Sequence, residues 1–126
     1  MFRRLLLLMA PVIFVLSSCY YNVSYTYYVR NDADSTISVR YQKFAGSDKM
    51  DTLLVETDSL KVLRIITRAQ HTKKFLEHDV KEGVISMTVY KGKDTSNRDF
   101  KSGDTWRFDR NLGTYTTTVF NADFKH

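Results

Sequence analysis

The stretch from Asn22 to Arg30 alternates, one residue at a time, between apolar or aromatic and polar side chains. A period of two is that of a β-strand with one buried and one exposed face, because successive side chains point to opposite sides of a sheet. The predicted inward face consists of Val23, Tyr25, Tyr27 and Val29. Six further short runs follow, at 36–43, 52–57, 60–67, 84–90, 106–109 and 114–122. We therefore expect an all-β domain, a sandwich or barrel of about seven strands.

Turn-forming residues separate these runs. All five glycines lie between them, at positions 46, 83, 92, 103 and 113, and no proline follows Pro11, which suits a chain of paired strands. The sequence from Asn31 to Ser35 is typical of a turn, and its shortness predicts that the first two strands form an antiparallel hairpin. The segment from Thr72 to Gly83 has apolar and charged pairs four residues apart. This spacing predicts either one or two helical turns near 72–82 or a long loop.

The start of the chain has the three parts of a secretory signal. Arg3 and Arg4 precede an uncharged apolar stretch from Leu5 to Leu16, and two serines follow it. This order of basic, apolar and small residues is that of a signal peptide. The apolar stretch is too short for a transmembrane helix, which needs about 20 residues. We therefore expect residues 1–18 to be removed.

The four residues Leu16-Ser17-Ser18-Cys19 resemble the bacterial lipobox, in which an aliphatic and two small residues precede a cysteine. The resemblance implies that lipid is attached to the thiol of Cys19 and that the chain is cut directly before it. Residues 19–21 would then tether a domain of residues 22–126 to a membrane. Two or three acyl chains hold a protein stably on a bilayer, whereas one does so marginally. The alternative is an ordinary signal peptide that happens to precede a cysteine.

Composition limits the domain further. Cys19 is the only cysteine, so no disulfide can form within the monomer and the core must hold the fold. Of the 19 Lys and Arg residues, Arg3 and Arg4 leave with the signal, and the remaining 17 face 14 Asp and Glu. This excess of about three positive charges is mild and spread along the chain, which argues against nucleic acid as a partner.

No catalytic or cofactor motif stands out. The three histidines, His71, His78 and His126, lack the spacing of a metal-binding motif, so surface histidines are favoured over a zinc site. No serine lies in a Gly-x-Ser-x-Gly elbow. We therefore expect a protein that is not an enzyme and that holds no cofactor or metal.

Aromatic residues allow two interpretations. Asp104 and Asp109 flank Trp106, a combination found in some carbohydrate sites, but Trp106 in the core with both aspartates in turns is the favoured interpretation. In the first strand, half of the tyrosines should lie in the core, and Tyr28 should be an exposed cross-strand partner. Tyr20 and Tyr21 could rest among lipid headgroups, where amphipathic rings are favoured.

Three triplets share one pattern, Asp34-Ser35-Thr36, Asp51-Thr52-Leu53 and Asp58-Ser59-Leu60. They resemble the signal for O-glycosylation in the periplasm of Bacteroidetes, in which Asp is followed by Ser or Thr and then by an aliphatic residue or Thr. The candidate acceptors are Ser35, Thr52 and Ser59, each at a predicted turn or strand start. Ordinary turn chemistry explains these triplets equally well.

As a whole, residues 22–124 resemble small, functionally uncharacterised lipoproteins of Bacteroidetes that carry an immunoglobulin-like sandwich. The residues that carry the resemblance are 28–31, 51–55, 85–87, Trp106, 113–115 and 121–124. The resemblance implies a single immunoglobulin-like antiparallel β-sandwich on the outer membrane. Because no acidic residue directly follows Cys19, it also implies that the domain faces the periplasm.

These features favour a non-catalytic binding or accessory module that engages an envelope protein or glycan. One alternative is a lipoprotein that inhibits an envelope hydrolase of the lysozyme type, although a weakly basic domain is poorly matched to a basic enzyme. Another is an enzyme whose site is assembled from residues distant in sequence. The sequence leaves the oligomeric state open.

Overall fold

A computed structural model describes residues 20–42 and 49–125. Within these ranges the chain forms eight β-strands. They are β1 (Tyr21–Asn31), β2 (Ile37–Gln42), β3 (Asp51–Val55), β4 (Leu60–Gln70), β5 (Ser86–Lys91), β6 (Asp94–Thr95), β7 (Arg107–Asp109) and β8 (Thr114–Val119). Three single 3₁₀ turns, at Val80–Glu82, Gly103–Thr105 and Asn121–Phe124, are the helical segments of the described chain. No helix in these ranges is long and apolar enough to span a bilayer.

The strands form two four-stranded sheets, which confirms the predicted all-β sandwich. The first sheet has the order β4-β1-β8-β7 and the second the order β3-β2-β5-β6. All neighbouring strands are antiparallel except β1 and β8, which run parallel. Each of the seven predicted runs contains a strand, and the two-residue β6 is the one that the sequence pattern missed.

The predicted hairpin between the first two strands is wrong. β1 and β2 lie in different sheets, because both edges of β1 are already occupied, by β4 and β8. The short turn after Asn31 therefore carries the chain across the core instead of reversing it within one sheet. Val29 and Ile37, on either side of this turn, are both fully buried, as expected for strands that face each other across a sandwich.

The central strands have the immunoglobulin arrangement. β1 pairs with β4 and β2 pairs with β5, one pair in each sheet, as strands B with E and C with F do in an immunoglobulin sandwich. The last strand, β8, takes the place beside β1 and runs parallel to it. A parallel pair needs a long connection, and here that connection is nearly the whole domain.

The core fills the space between the sheets and is rich in tyrosine. Tyr25, Tyr27 and Tyr115 are almost completely buried, and the rings of Tyr27 and Tyr115 stack at 5.0 Å between centroids. The predicted inward face of the first strand is confirmed, since Val23, Tyr25, Tyr27 and Val29 are all buried. The residues that alternate with these four in β1 consequently face outward, away from the second sheet.

The segment between β4 and β5 is a long loop that contains one 3₁₀ turn, at Val80–Glu82. Of the two predicted forms, helical turns or a long loop, the structure is therefore mainly the loop. Its backbone groups bond to side chains of the sheets. The hydroxyl of Tyr25 accepts from the backbone N–H of Leu76, and that of Tyr115 from the N–H of His78. The side-chain amide of Gln70 donates to the carbonyls of Thr72 and Lys74. Since these groups already have partners, a helix would gain little there.

Candidate functional site

A shallow groove of about 490 Å³ crosses the outer face of the β4-β1-β8-β7 sheet. Its lining residues point outward because the residues that alternate with them are buried between the sheets. They are Tyr28, Arg30, Leu60, Arg107, Asp109, Leu112, Thr114, Thr116 and Thr118. The groove is thus built on regular strands, which hold their side chains at fixed spacing.

The strand register arranges the lining residues in rows across the sheet. Cross-strand partners are about 4.8 Å apart, and residues that share one face of a strand are about 6.7 Å apart. The rows are Leu60, Arg30 and Thr118; Tyr28, Thr116 and Arg107; and Thr114 and Asp109. Hydroxyls, two guanidinium groups and one phenol therefore form a two-dimensional array on this face.

Several of these polar groups are free to bind a ligand. Within the described chain, the guanidinium of Arg107, the phenol of Tyr28 and the hydroxyls of the three β8 threonines that line the groove have no hydrogen-bonding partner or ion pair. Arg30 already forms an ion pair with Asp32, at 3.0 Å between Nε and Oδ1. Asp109 is committed to the turn that follows it, where its Oδ1 accepts from the backbone of Asn111 and Leu112. The groove accordingly presents mainly hydrogen-bond donors, including the positive charge of Arg107, and these groups suit a negatively charged ligand.

A second polar cluster surrounds His78 at one end of the core. The Nε2 of His78 lies 2.8 Å from the hydroxyl of Tyr27, and Nδ1 lies 3.3 Å from the carbonyl of Leu76. The ring packs against Tyr25 and Tyr115, at 4.7 and 4.9 Å between centroids. The hydroxyl of Tyr115 donates to the backbone carbonyl of His78 at 3.1 Å.

Burial sets the protonation of this cluster. Desolvation lowers the pKa of His78, and the nearby Arg68 lowers it further against the opposing effects of Leu76, Glu82 and Asp79. Desolvation also raises the pKa of Tyr27 and that of Tyr115. The cluster is therefore neutral near pH 7, and its hydrogen bonds fasten the β4–β5 loop to the first sheet.

The structure supports the core interpretation of Trp106. Its side chain is buried, and Nε1 donates to the carbonyl of Phe100 at 2.8 Å. Asp104 is exposed in a 3₁₀ turn. Asp109 caps a turn and also lines the groove. Of the three residues of that alternative carbohydrate site, Asp109 is the one that lines the groove.

The two described histidines lie in different clusters. His78 is in the tyrosine cluster, whereas His71 is exposed, and its ring lies tilted against that of Tyr20 at 4.4 Å between centroids. His126 lies outside the described residues. No group of three or more potential metal ligands occurs within the described ranges.

The three candidate glycosylation sites lie at different places. Ser35 is exposed in the turn between β1 and β2, and Thr52 is exposed on β3. Ser59, half-buried, ends the turn between β3 and β4. Ser35 and Ser59 share one end of the sandwich, because Asn31 bonds to the backbone of both. Glycosylation of these residues stays a prediction, as does lipidation of Cys19, which lies outside the described residues.

Sequence reasoning missed the groove. The sequence predicts a strand over 114–122, but only the parallel pairing of β8 with β1 brings Thr116 beside Tyr28. The chain matches no family model, no curated protein and no solved structure. The outer groove is the candidate functional site that the geometry provides.

Proposed function

We propose that this chain is a lipoprotein, anchored through Cys19 to the periplasmic side of an outer membrane, whose outer groove binds an acidic envelope glycan without catalysis. Its kinship with the small sandwich lipoproteins of Bacteroidetes is part of this proposal. The observation that carries the binding role is the groove itself. The guanidinium of Arg107, which has no partner among the described residues, shares a row with Tyr28 and Thr116.

The chemistry of the groove favours a glycan over other envelope ligands. Hydroxyl groups both donate and accept, so a row of threonines matches the hydroxyls of a sugar. A tyrosine ring supplies an apolar face with a polar tip. Arginine binds carboxylates with two parallel hydrogen bonds, which supports an acidic sugar such as a uronic acid.

The proposal is tested by titrating the detergent-solubilised lipoprotein with uronic-acid oligosaccharides and with neutral oligosaccharides of the same length. We expect Arg107→Ala to weaken binding of the acidic ligand by roughly ten- to a hundredfold, since a charge-assisted hydrogen bond contributes roughly 1.5–3 kcal/mol. Binding of the neutral ligand should change little. Arg110→Ala is the matched control, because Arg110 is an exposed arginine in the next turn and does not line the groove.

The outcome also separates the competing functions. If neither oligosaccharide perturbs the groove residues, and a stoichiometric protein co-purifies and is lost in Arg107→Ala, the ligand is a protein and the glycan proposal fails. If the co-purified protein is a hydrolase and its activity falls on binding, the inhibitor function is supported instead.

A further inference from the structure

We propose that one end of the sandwich is a membrane-docking surface that rests directly on anionic lipid headgroups. This surface, called here the anchor end, consists of Tyr20, Tyr21, His71, Lys73 and Lys74. The inference rests on the proposed lipid anchor at Cys19 and adds to it a second, non-covalent contact. It concerns a different face from the groove.

The distance from the anchor to the fold leaves no room for a flexible tether. β1 begins at Tyr21, two residues after Cys19, and an extended residue spans at most about 3.6 Å. The first strand therefore starts within about 7 Å of the lipidated residue. Tyr21 pairs with Gln70 at the end of β4, so the loop that follows β4 lies at the same level.

The side chains of the anchor end suit a headgroup layer. Tyr20 is 58% and Tyr21 39% exposed, although aromatic side chains of this size are usually covered. Amphipathic tyrosine rings are favoured at membrane–water interfaces. The rings are held in place by their neighbours, with Tyr20 against His71 at 4.4 Å and the Nζ of Lys73 at 5.2 Å from the ring of Tyr21.

The charges near the anchor end also favour contact with anionic headgroups. Lys73 and Lys74 are adjacent and exposed, and no acidic residue lies between Gln70 and Leu76. Four exposed acidic residues lie at the opposite end, in the turns after β1 and β3, namely Asp32, Asp34, Glu56 and Asp58. Strand β1, with 11 residues, separates the two ends by about 35 Å. This exceeds the Debye length of about 8 Å, so an anionic bilayer attracts the lysines without repelling the far turns.

The test measures hydrogen–deuterium exchange of the native lipoprotein in nanodiscs of phosphatidylcholine, with and without phosphatidylglycerol. We expect the amides of residues 71–76 to exchange at least about fivefold more slowly on the anionic discs, the factor that one lysine near an anionic surface contributes. High salt should remove the difference. Exchange in the turn at 56–59 should not depend on the lipid.

Two double variants give the comparison its control. Lys73→Ser/Lys74→Ser should abolish the lipid-dependent protection, whereas Lys93→Ser/Lys125→Ser, which removes the same charge from exposed positions elsewhere, should keep it. Equal exchange on both kinds of disc, or equal loss in both variants, would overturn the docking surface.

The anchor is tested separately. Flotation of the native chain with both kinds of vesicle, lost in Cys19→Ala, supports the lipid attachment whatever the exchange data show. A Cys19→Ala chain that still fractionates normally with membranes would overturn the anchor and, with it, the basis of the docking surface. The oligosaccharide titration of the groove is independent of both results.

Discussion

At the scale of single residues, His78 joins the loop after β4 to the first sheet. It is half-buried, accepts or donates one hydrogen bond with Tyr27 and packs between two further tyrosine rings. A charged imidazolium in this position would lose water without gaining an anionic partner among its closest contacts. The folded state therefore favours neutral His78, as the lowered pKa indicates.

The free energy of unfolding should consequently depend on pH through His78. Because the folded pKa is lower than the unfolded value of about 6.5, the unfolded chain binds the proton first, and stability falls as pH drops below about 6.5. Above that value the contribution is fully present. Urea unfolding at pH 7.5 and pH 5.5 should show a smaller loss for His78→Gln than for the natural chain. His71→Gln is the control, since His71 is exposed, and an equal flattening by both variants would contradict the assignment.

Sequence patterns predicted which residues of β1 are buried, but they did not predict the hydrogen-bond partners of those residues. The alternation of β1 placed Tyr25 and Tyr27 in the core, but their hydroxyl partners, Leu76 and His78, are 51 residues away. Asn31 had the character of a turn residue, yet it is fully buried. Its side chain bonds to the backbone of Ala33, Ser35 and Val55. Such hydrogen bonds depend on which loops come together in the fold, and the local periodicity of a sequence does not contain that information.

At the scale of elements, two glycines let loops pack against aromatic rings. A Cβ at Gly83 would lie 2.2 Å from Cζ of Tyr27, and one at Gly113 would lie 2.2 Å from Cδ1 of Phe75. Gly113 also has a φ of +65°, a conformation that costs a non-glycine residue about 1–2 kcal/mol. Gly92 has a similar φ of +62° with open space around it, and Gly103 also has open space.

These four positions separate steric overlap from backbone strain in one series of alanine variants. We expect Gly103→Ala to be nearly neutral and Gly92→Ala to cost about 1 kcal/mol. Gly83→Ala should cost roughly 3 kcal/mol, because the fully buried ring of Tyr27 must shift, which disturbs its hydrogen bond with His78 and its stacking on Tyr115. Gly113→Ala should fall between Gly92→Ala and Gly83→Ala, since the half-buried ring of Phe75 can shift. Urea denaturation measures the order, and a Gly83→Ala variant as stable as Gly103→Ala would refute it.

The sequence predicted elements more reliably than their connections. Each of the seven predicted strands exists, because period-two burial is a local property. The hairpin after Asn31 failed because a short turn can either reverse a chain within a sheet or carry it across the core. The choice is made by β8, which occupies the free edge of β1 from the other end of the sequence.

At the scale of the whole molecule, the first sheet is incomplete until the last strand is in place. β8 contributes the buried residues Tyr115, Thr117 and Val119 to the core and is the only partner of β7 in the described chain. A contact between the first and last strands closes a loop of most of the domain, which is the slow kind of contact in folding. Because the chain has a single cysteine, it has no internal disulfide to stabilise a partly formed sheet.

A chain that ends at residue 111 should therefore fail to fold, and a peptide of residues 112–126 should restore the fold in trans. The physical reason is that the missing strand both buries apolar area and pairs with the exposed edge of β1. Near-UV circular dichroism reports the result through Trp106, whose ring lies 5.7 Å from that of Tyr27 in the completed core. The matched control is the same peptide with Tyr115→Ser and Val119→Ser, which keeps the backbone but removes two buried side chains. A native spectrum from the shortened chain alone would show that β4 and the second sheet suffice to hold β1. Rescue by the control peptide would show that pairing of the backbone, and not burial in the core, completes the molecule.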